Sequence, residues 1–107
     1  MSTFNLSIIS PRGRAFGGQA EMLIAPGAEG EVGILAGHAP MIALLRRGIG
    51  KVNADGQVQH FVFGEGVLEV SHAEVVMLVD SAEKAESVDA ARQMMLESAA
   101  AAVRKVS

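Results

Sequence analysis

An antiparallel β sandwich or barrel followed by one α-helix is the fold that the sequence predicts. Three observations predict it. Up to about Asp80, short apolar or alternating runs are separated by turn residues; Ala54-Asp55-Gly56-Gln57 is a hairpin signal; and after Asp80 Gly and Pro vanish while Ala, Glu, Lys, Met and Gln take over. Residues 1–80 are therefore expected to form a β-sandwich domain, and residues 81–107 a connecting segment and a single amphipathic helix.

Phe4, Leu6 and Ile8 share one face of a first strand, which Pro11-Arg12-Gly13 ends. Ala20, Met22 and Ile24 alternate with Glu21, Leu23 and Ala25 in a second extended run closed by Pro26-Gly27. The stretch from Pro26 to Pro40 reads as a compact, turn-filled loop pinned by Val32, Ile34 and Leu35. Met41–Leu45 is apolar on both faces and reads as a strand buried on both sides. Asp55-Gly56 supplies the positive φ values of a type I′ turn and joins 49–54 to 57–63. Gly64-Glu65-Gly66 turns or bulges into 67–71, and His72-Ala73 turns into 74–79, so that these last four runs are expected to form a meander. In the tail, Ser87 is the expected N-cap, with Asp89 in the first turn and Arg104 and Lys105 in the last. Val88, Ala91, Met95, Ala99, Ala102 and Val106 make one apolar stripe.

Composition excludes several classes of function. Half of the 107 residues are apolar, enough for one modest core. The aromatics are four Phe only, which leaves no stacking platform for single strands, and the net charge of -3 with scattered bases disfavours nucleic acid. Without cysteine there is neither a disulfide framework nor a thiolate metal site. The start lacks the basic and apolar regions of a secretory signal, and the longest apolar run, Ala39–Leu45, is far below the roughly 20 residues of a bilayer span, so membrane association is expected only through a partner.

No catalytic or metal-site pattern is present in the sequence. Gly27, Gly30 and Gly33 give G-x-x-G-x-x-G, which is not the dinucleotide fingerprint, and Gly50-Lys51 lacks the preceding Gly of a P-loop. Gly64-Glu65-Gly66 has Glu69 where a third Gly belongs. His38, His60 and His72 lie on separate segments without metal-ligand spacing, and no Gly-x-Ser-x-Gly turn offers His38 a nucleophile. The loop from Pro26 to Pro40, with Glu29, Glu31 and His38, reads instead either as plain surface packing or as a presented contact surface.

Phe4-Asn5-Leu6-Ser7-Ile8-Ile9-Ser10-Pro11-Arg12-Gly13, Pro26-Gly27-Ala28-Glu29-Gly30-Glu31-Val32-Gly33-Ile34-Leu35, Gly37-His38-Ala39-Pro40 and Gly66-Val67-Leu68-Glu69-Val70 follow one another in an order that resembles the epsilon subunit of F-type ATP synthases. The resemblance runs from Phe4 to about Arg92. It implies a non-catalytic rotor subunit of the central stalk, seated on the gamma subunit, touching the c-ring loops, and assembled with the other subunits of the head. It would couple proton-driven rotation of the ring to gamma, at the cytoplasmic face of a bacterial plasma membrane. Carried over by position, Glu29, Gly30, Glu31 and Val32 face the c-ring, and Ser10, His38, Ala39 and Pro40 lie near gamma.

Two departures from the family pattern shape what is expected. Members commonly end in two helices that fold as a hairpin or extend along gamma to block ATP hydrolysis; this sequence offers one, and reduced or absent inhibition is expected of it. Some members also bind ATP at the start of the first helix. Glu83, Asp89 and Arg92 are the matching residues, within Val88-Asp89-Ala90-Ala91-Arg92-Gln93. Asp89 and Arg92 lie one turn apart, which suits a phosphate-directed pair, but also a plain helix-surface ion pair, and the latter is favoured. A free-standing ATP-sensing module is the rival reading, and no other cofactor is implied.

Overall fold

The computed structural model describes residues 2–106. Ten strands precede the helix: β1 (Phe4–Ser10), β2 (Gly13–Ala20), β3 (Met22–Gly27), β4 (Gly30–Leu35), β5 (Met41–Leu45), β6 (Gly48–Ala54), β7 (Gln57–Phe63), β8 (Gly66–Val70), β9 (Glu74–Val79) and β10 (Ala82–Ala85). The helix is α1 (Val88–Val106). The predicted β-rich architecture with its C-terminal helix is present.

Hydrogen bonding sorts the strands into two five-stranded layers, β4-β3-β6-β7-β10 and β5-β8-β9-β1-β2. They join at one corner, where Gly27 of β3 pairs with Leu45 of β5, and the edge strands β2 and β10 come together on the far side, nearly closing a barrel. β5 and β6 are almost one strand. The bend at Arg46-Arg47 carries the chain from the second layer, where β5 pairs with β8, into the first, where β6 pairs with β7. Between the layers lie the buried side chains of Leu6, Ile8, Leu23, Ile34, Val52, Phe61, Phe63, Leu68 and Met77. Each contributes about 1.5–3 kcal/mol of burial. The rings of Phe61 and Phe63 stack at 5.3 Å.

The Asp55-Gly56 hairpin forms as its chemistry requires, with φ of 53° and 72° at the two turn residues. Several other sequence expectations give way to long-range pairing. The four runs from 49 to 79 do not form one meander, because β7 and β8 lie in different layers and the hairpins β6-β7 and β8-β9 stand apart. The sheet is not wholly antiparallel either: β1 runs parallel to β9. Neither pairing leaves a trace in local hydrophobic patterning, which reports burial and not neighbours. The run expected from Ala20 to Ala25 breaks at Glu21, between β2 and β3.

Pro26–Pro40, read as a compact loop, is mostly a hairpin. Val32 and Ile34 turn inward and alternate with Glu31, Gly33 and Leu35, and β4 pairs with β3 along its whole length across the two-residue turn Ala28-Glu29. Four glycines masked this period of two. Ala82–Ala85, placed by composition in a connecting segment, is a strand paired with β7. Its Ala-Glu-Lys-Ala sequence favours helix by propensity, and the free edge of β7 overrides that preference.

Ser87 caps α1: its Oγ accepts a hydrogen bond of 3.0 Å from the Ala90 N–H. Among the described side chains, the buried contacts of the helix come from its first half. Ala91 is fully buried and, with Ala90, Met94 and Met95, packs on Val62, Ala85 and Ile49. The expected stripe is thus used through Met95, whereas Ala99 is exposed; the side chains of Ala102 and Val106 lie outside the described residues. Ser87→Ala is expected to cost about 1 kcal/mol of helix docking. Faster amide exchange at Ala90 and Ala91, with the strand amides unchanged, is the measurement that checks it.

Candidate functional site

The second layer has an outer face that the core does not use. On it, Leu44, Val67, Leu78 and Ile9 form one row across β5, β8, β9 and β1, and Ile42, Glu69, Val76 and Ser7 form the next. Six of these eight side chains are apolar. Ile42, Leu44 and Leu78 are 69%, 66% and 52% exposed. Contiguous apolar surface of this kind on a small domain is the mark of an interaction site.

This corrects the reading of Met41–Leu45 as a strand buried on both faces. Met41, Ala43 and Leu45 turn inward, whereas Ile42 and Leu44 face outward. Two-sided apolarity in a short strand signals cover on both sides; here the domain itself supplies cover on one side only. That run was the only trace of this face in the sequence, and Val67 and Leu78 carried none.

The tip of the β3-β4 hairpin presents a second, polar surface. Glu29, Gly30 and Glu31 are exposed and Val32 is half-buried. These residues, with Met41–Leu44 opposite, border an open groove of 570 Å³. His38, Ala39 and Pro40 do not share that tip. They follow β4, whose length separates them from it by about 17 Å of strand. The His38 N–H donates to Leu35 O at 3.1 Å, and its Nδ1 lies 2.8 Å from Ala39 O. His38 borders a cavity of 30 Å³ beside Phe4 and His72. Ser10 ends β1, where its Oγ accepts from the Arg12 N–H at 3.2 Å. It adjoins Ile9 and so flanks the apolar row.

Glu83, Asp89 and Arg92 are not brought together as a set. Arg92 Nη1 lies 3.5 Å from Asp89 Oδ1 in an exposed pair one helical turn apart. Arg92 borders a groove of 470 Å³ with Lys51 and His60, whereas Glu83 borders a different one with Arg47 and Glu97. Among the described residues no group of three His, Cys, Asp or Glu is placed to hold a metal ion.

Residues 3–85 match the family model of the ATP synthase delta/epsilon chain beta-sandwich domain. The chain belongs to this family. The ATP synthase epsilon chain of Rhodopseudomonas palustris strain HaA2 is 43% identical over 89 residues, covering 83% of this chain and 66% of that one. That of Desulfitobacterium hafniense strain Y51 is 38% identical over 92 residues, covering 86% and 70%. The matched region thus spans about two thirds of the length of these epsilon chains. Among solved structures, a chain of the Euglena gracilis mitochondrial ATP synthase (OSCP/F1/c-ring) aligns with a TM-score of 0.76 at 24% identity, covering 94% of this chain and 66% of that one. A chain of the Tetrahymena thermophila mitochondrial ATP synthase central stalk and c-ring gives 0.65 at 12%, covering 96% and 92%. These two are likenesses of fold. The delta/epsilon domain thus accounts for the strands through β10, and α1 follows it.

Proposed function

We propose that the chain is a non-catalytic central-stalk subunit of an F-type ATP synthase, passing the proton-driven rotation of the c-ring to gamma during ATP synthesis. The observation that carries this reading is the apolar outer face around Leu44, Val67 and Leu78, which calls for a protein cover. Gamma supplies that cover, with Ser10 at one border of the face and His38, Ala39 and Pro40 at another. The hairpin tip with Glu29, Gly30, Glu31 and Val32 meets the polar loops of the c-ring. Contacts with the other head subunits come through the assembled stalk.

No described helix is long and apolar enough to cross a membrane, and the chain is held at the cytoplasmic face of a bacterial plasma membrane through the complex. The helix α1 lies against β6, β7 and β10, which supports reduced or absent inhibition of ATP hydrolysis. The reading includes no bound nucleotide, since Arg92 pairs with Asp89 and Glu83 borders another groove.

A pull-down with the tagged chain from its source membrane is expected to recover gamma together with the c-ring. Loss of gamma from the recovered material would overturn the reading. Tight Mg-ATP binding by the isolated chain, without any gamma partner, would favour a nucleotide-sensing module instead.

A further inference from the structure

The second layer ends at β5, and one edge of that strand is largely unused. β5 pairs with β8 along its whole length on one side. On the other it is bonded only at its C-terminal end, where the Ala28 N–H donates to Leu44 O and the Arg46 N–H donates to Pro26 O, each at 2.9 Å. In a strand, the main-chain groups of alternate residues face the same edge. Ile42, two residues before Leu44, therefore turns its N–H and C=O to this edge, and among the described residues neither has a partner there.

Three further features favour pairing at that edge. The open 570 Å³ groove lies along it, with Ala28, Glu29, Gly30, Glu31 and Val32 of the hairpin tip as its far wall. β5, Met-Ile-Ala-Leu-Leu, carries no charge or proline within the strand, the devices by which exposed edges are normally protected. The same strand supplies Ile42 and Leu44 to the apolar outer face, so a partner seated on that face reaches the edge without leaving it.

We infer that the protein docked on the outer face adds an extended strand to the free edge of β5. Its main chain hydrogen-bonds Ile42, and its alternate, apolar side chains cover Ile42 and Leu44. This rests on the central-stalk reading, in which the added strand belongs to gamma.

Residue-resolved amide exchange on the full chain, free and bound to purified gamma, tests it. The Ile42 amide is expected to exchange fast in the free chain and at least about 10-fold more slowly in the complex, with the downfield proton shift of a hydrogen-bonded strand amide. Met41 and Ala43, already bonded to β8, are expected to change little. A complex that forms while the Ile42 amide keeps its free rate and shift overturns the strand addition alone. Failure of the complex to form overturns the central-stalk reading as well. A concentration-dependent dimer of the free chain with a protected Ile42 would overturn the assignment to gamma and make the occupant a second copy.

Discussion

Gly66→Ala is expected to destabilise the domain by roughly 3 kcal/mol, a large share of the total stability of a chain this size. The reason is a close approach of backbones. Gly66 opens β8, where it pairs with Leu45 of β5 on one side and Val79 of β9 on the other. A Cβ added there would overlap the carbonyl oxygen of Leu78 and stand 2.8 Å from the Cα of Val79. Both are main-chain atoms and cannot rotate away. The strands must part, and β8-β9 is an inner link of the second layer. A thermal midpoint lower by roughly 15 °C is the expected reading. Gly33→Ala is the control, because its Cβ meets only the flexible end of Ile24 at 3.4 Å. That substitution is expected to be neutral or to stabilise by up to about 1 kcal/mol, through a less flexible unfolded chain. Equal midpoints for the two variants would refute this account of Gly66.

Much of the architecture was legible residue by residue where local chemistry decides. Asp55-Gly56 dictates its turn, Ser87 its cap, and the loss of Gly and Pro after Asp80 heralds the helix. Where tertiary pairing decides, local signals misled. Ala82–Ala85 has a helical composition and forms a strand because β7 offers an edge. Gly30-Glu31-Val32-Gly33-Ile34-Leu35 looks like a loop and forms a strand because β3 does the same. The site shows the same division. Glu29 and Glu31 stand among glycines in a segment that reads either as surface packing or as a contact surface, and they are exposed at a hairpin tip. The apolar face was hidden, because Leu44, Val67, Leu78 and Ile9 become neighbours only through the register of four strands that are far apart in sequence.

The outer face and the free edge meet in one strand, β5. A strand apolar on both faces and protected at neither its outer face nor its free edge is a poor design for an isolated domain. It is coherent if the domain spends its working life covered, since cover supplies at once the burial that Ile42 and Leu44 lack and the hydrogen bonds that the Ile42 main chain lacks. The bend at Arg46-Arg47 then carries this strand directly from the outer face into β6 and the first layer.

Leu44→Glu combined with Leu78→Glu is expected to abolish the docking and leave the fold intact. Both side chains point to solvent in the free chain, so each change is expected to cost under about 1 kcal/mol of stability, mostly as lost β propensity. In the complex the same two positions lie within one row under the partner. Two carboxylates there must shed water without gaining a counter-charge, and each then costs at least about 2 kcal/mol, the scale of an interface hot spot. Together they are expected to weaken binding to gamma by at least about 100-fold, read by titration calorimetry, with the thermal midpoint of the free chain nearly unchanged. Glu29→Gln with Glu31→Gln, on the wall of the same groove, is expected to leave gamma affinity within about 3-fold, because both side chains keep their size and lose only solvated charge. Gamma affinity retained in the Leu44, Leu78 pair of variants would remove the outer face as the docking surface. Affinity lost instead on changing the two glutamates would move the gamma contact to the hairpin tip.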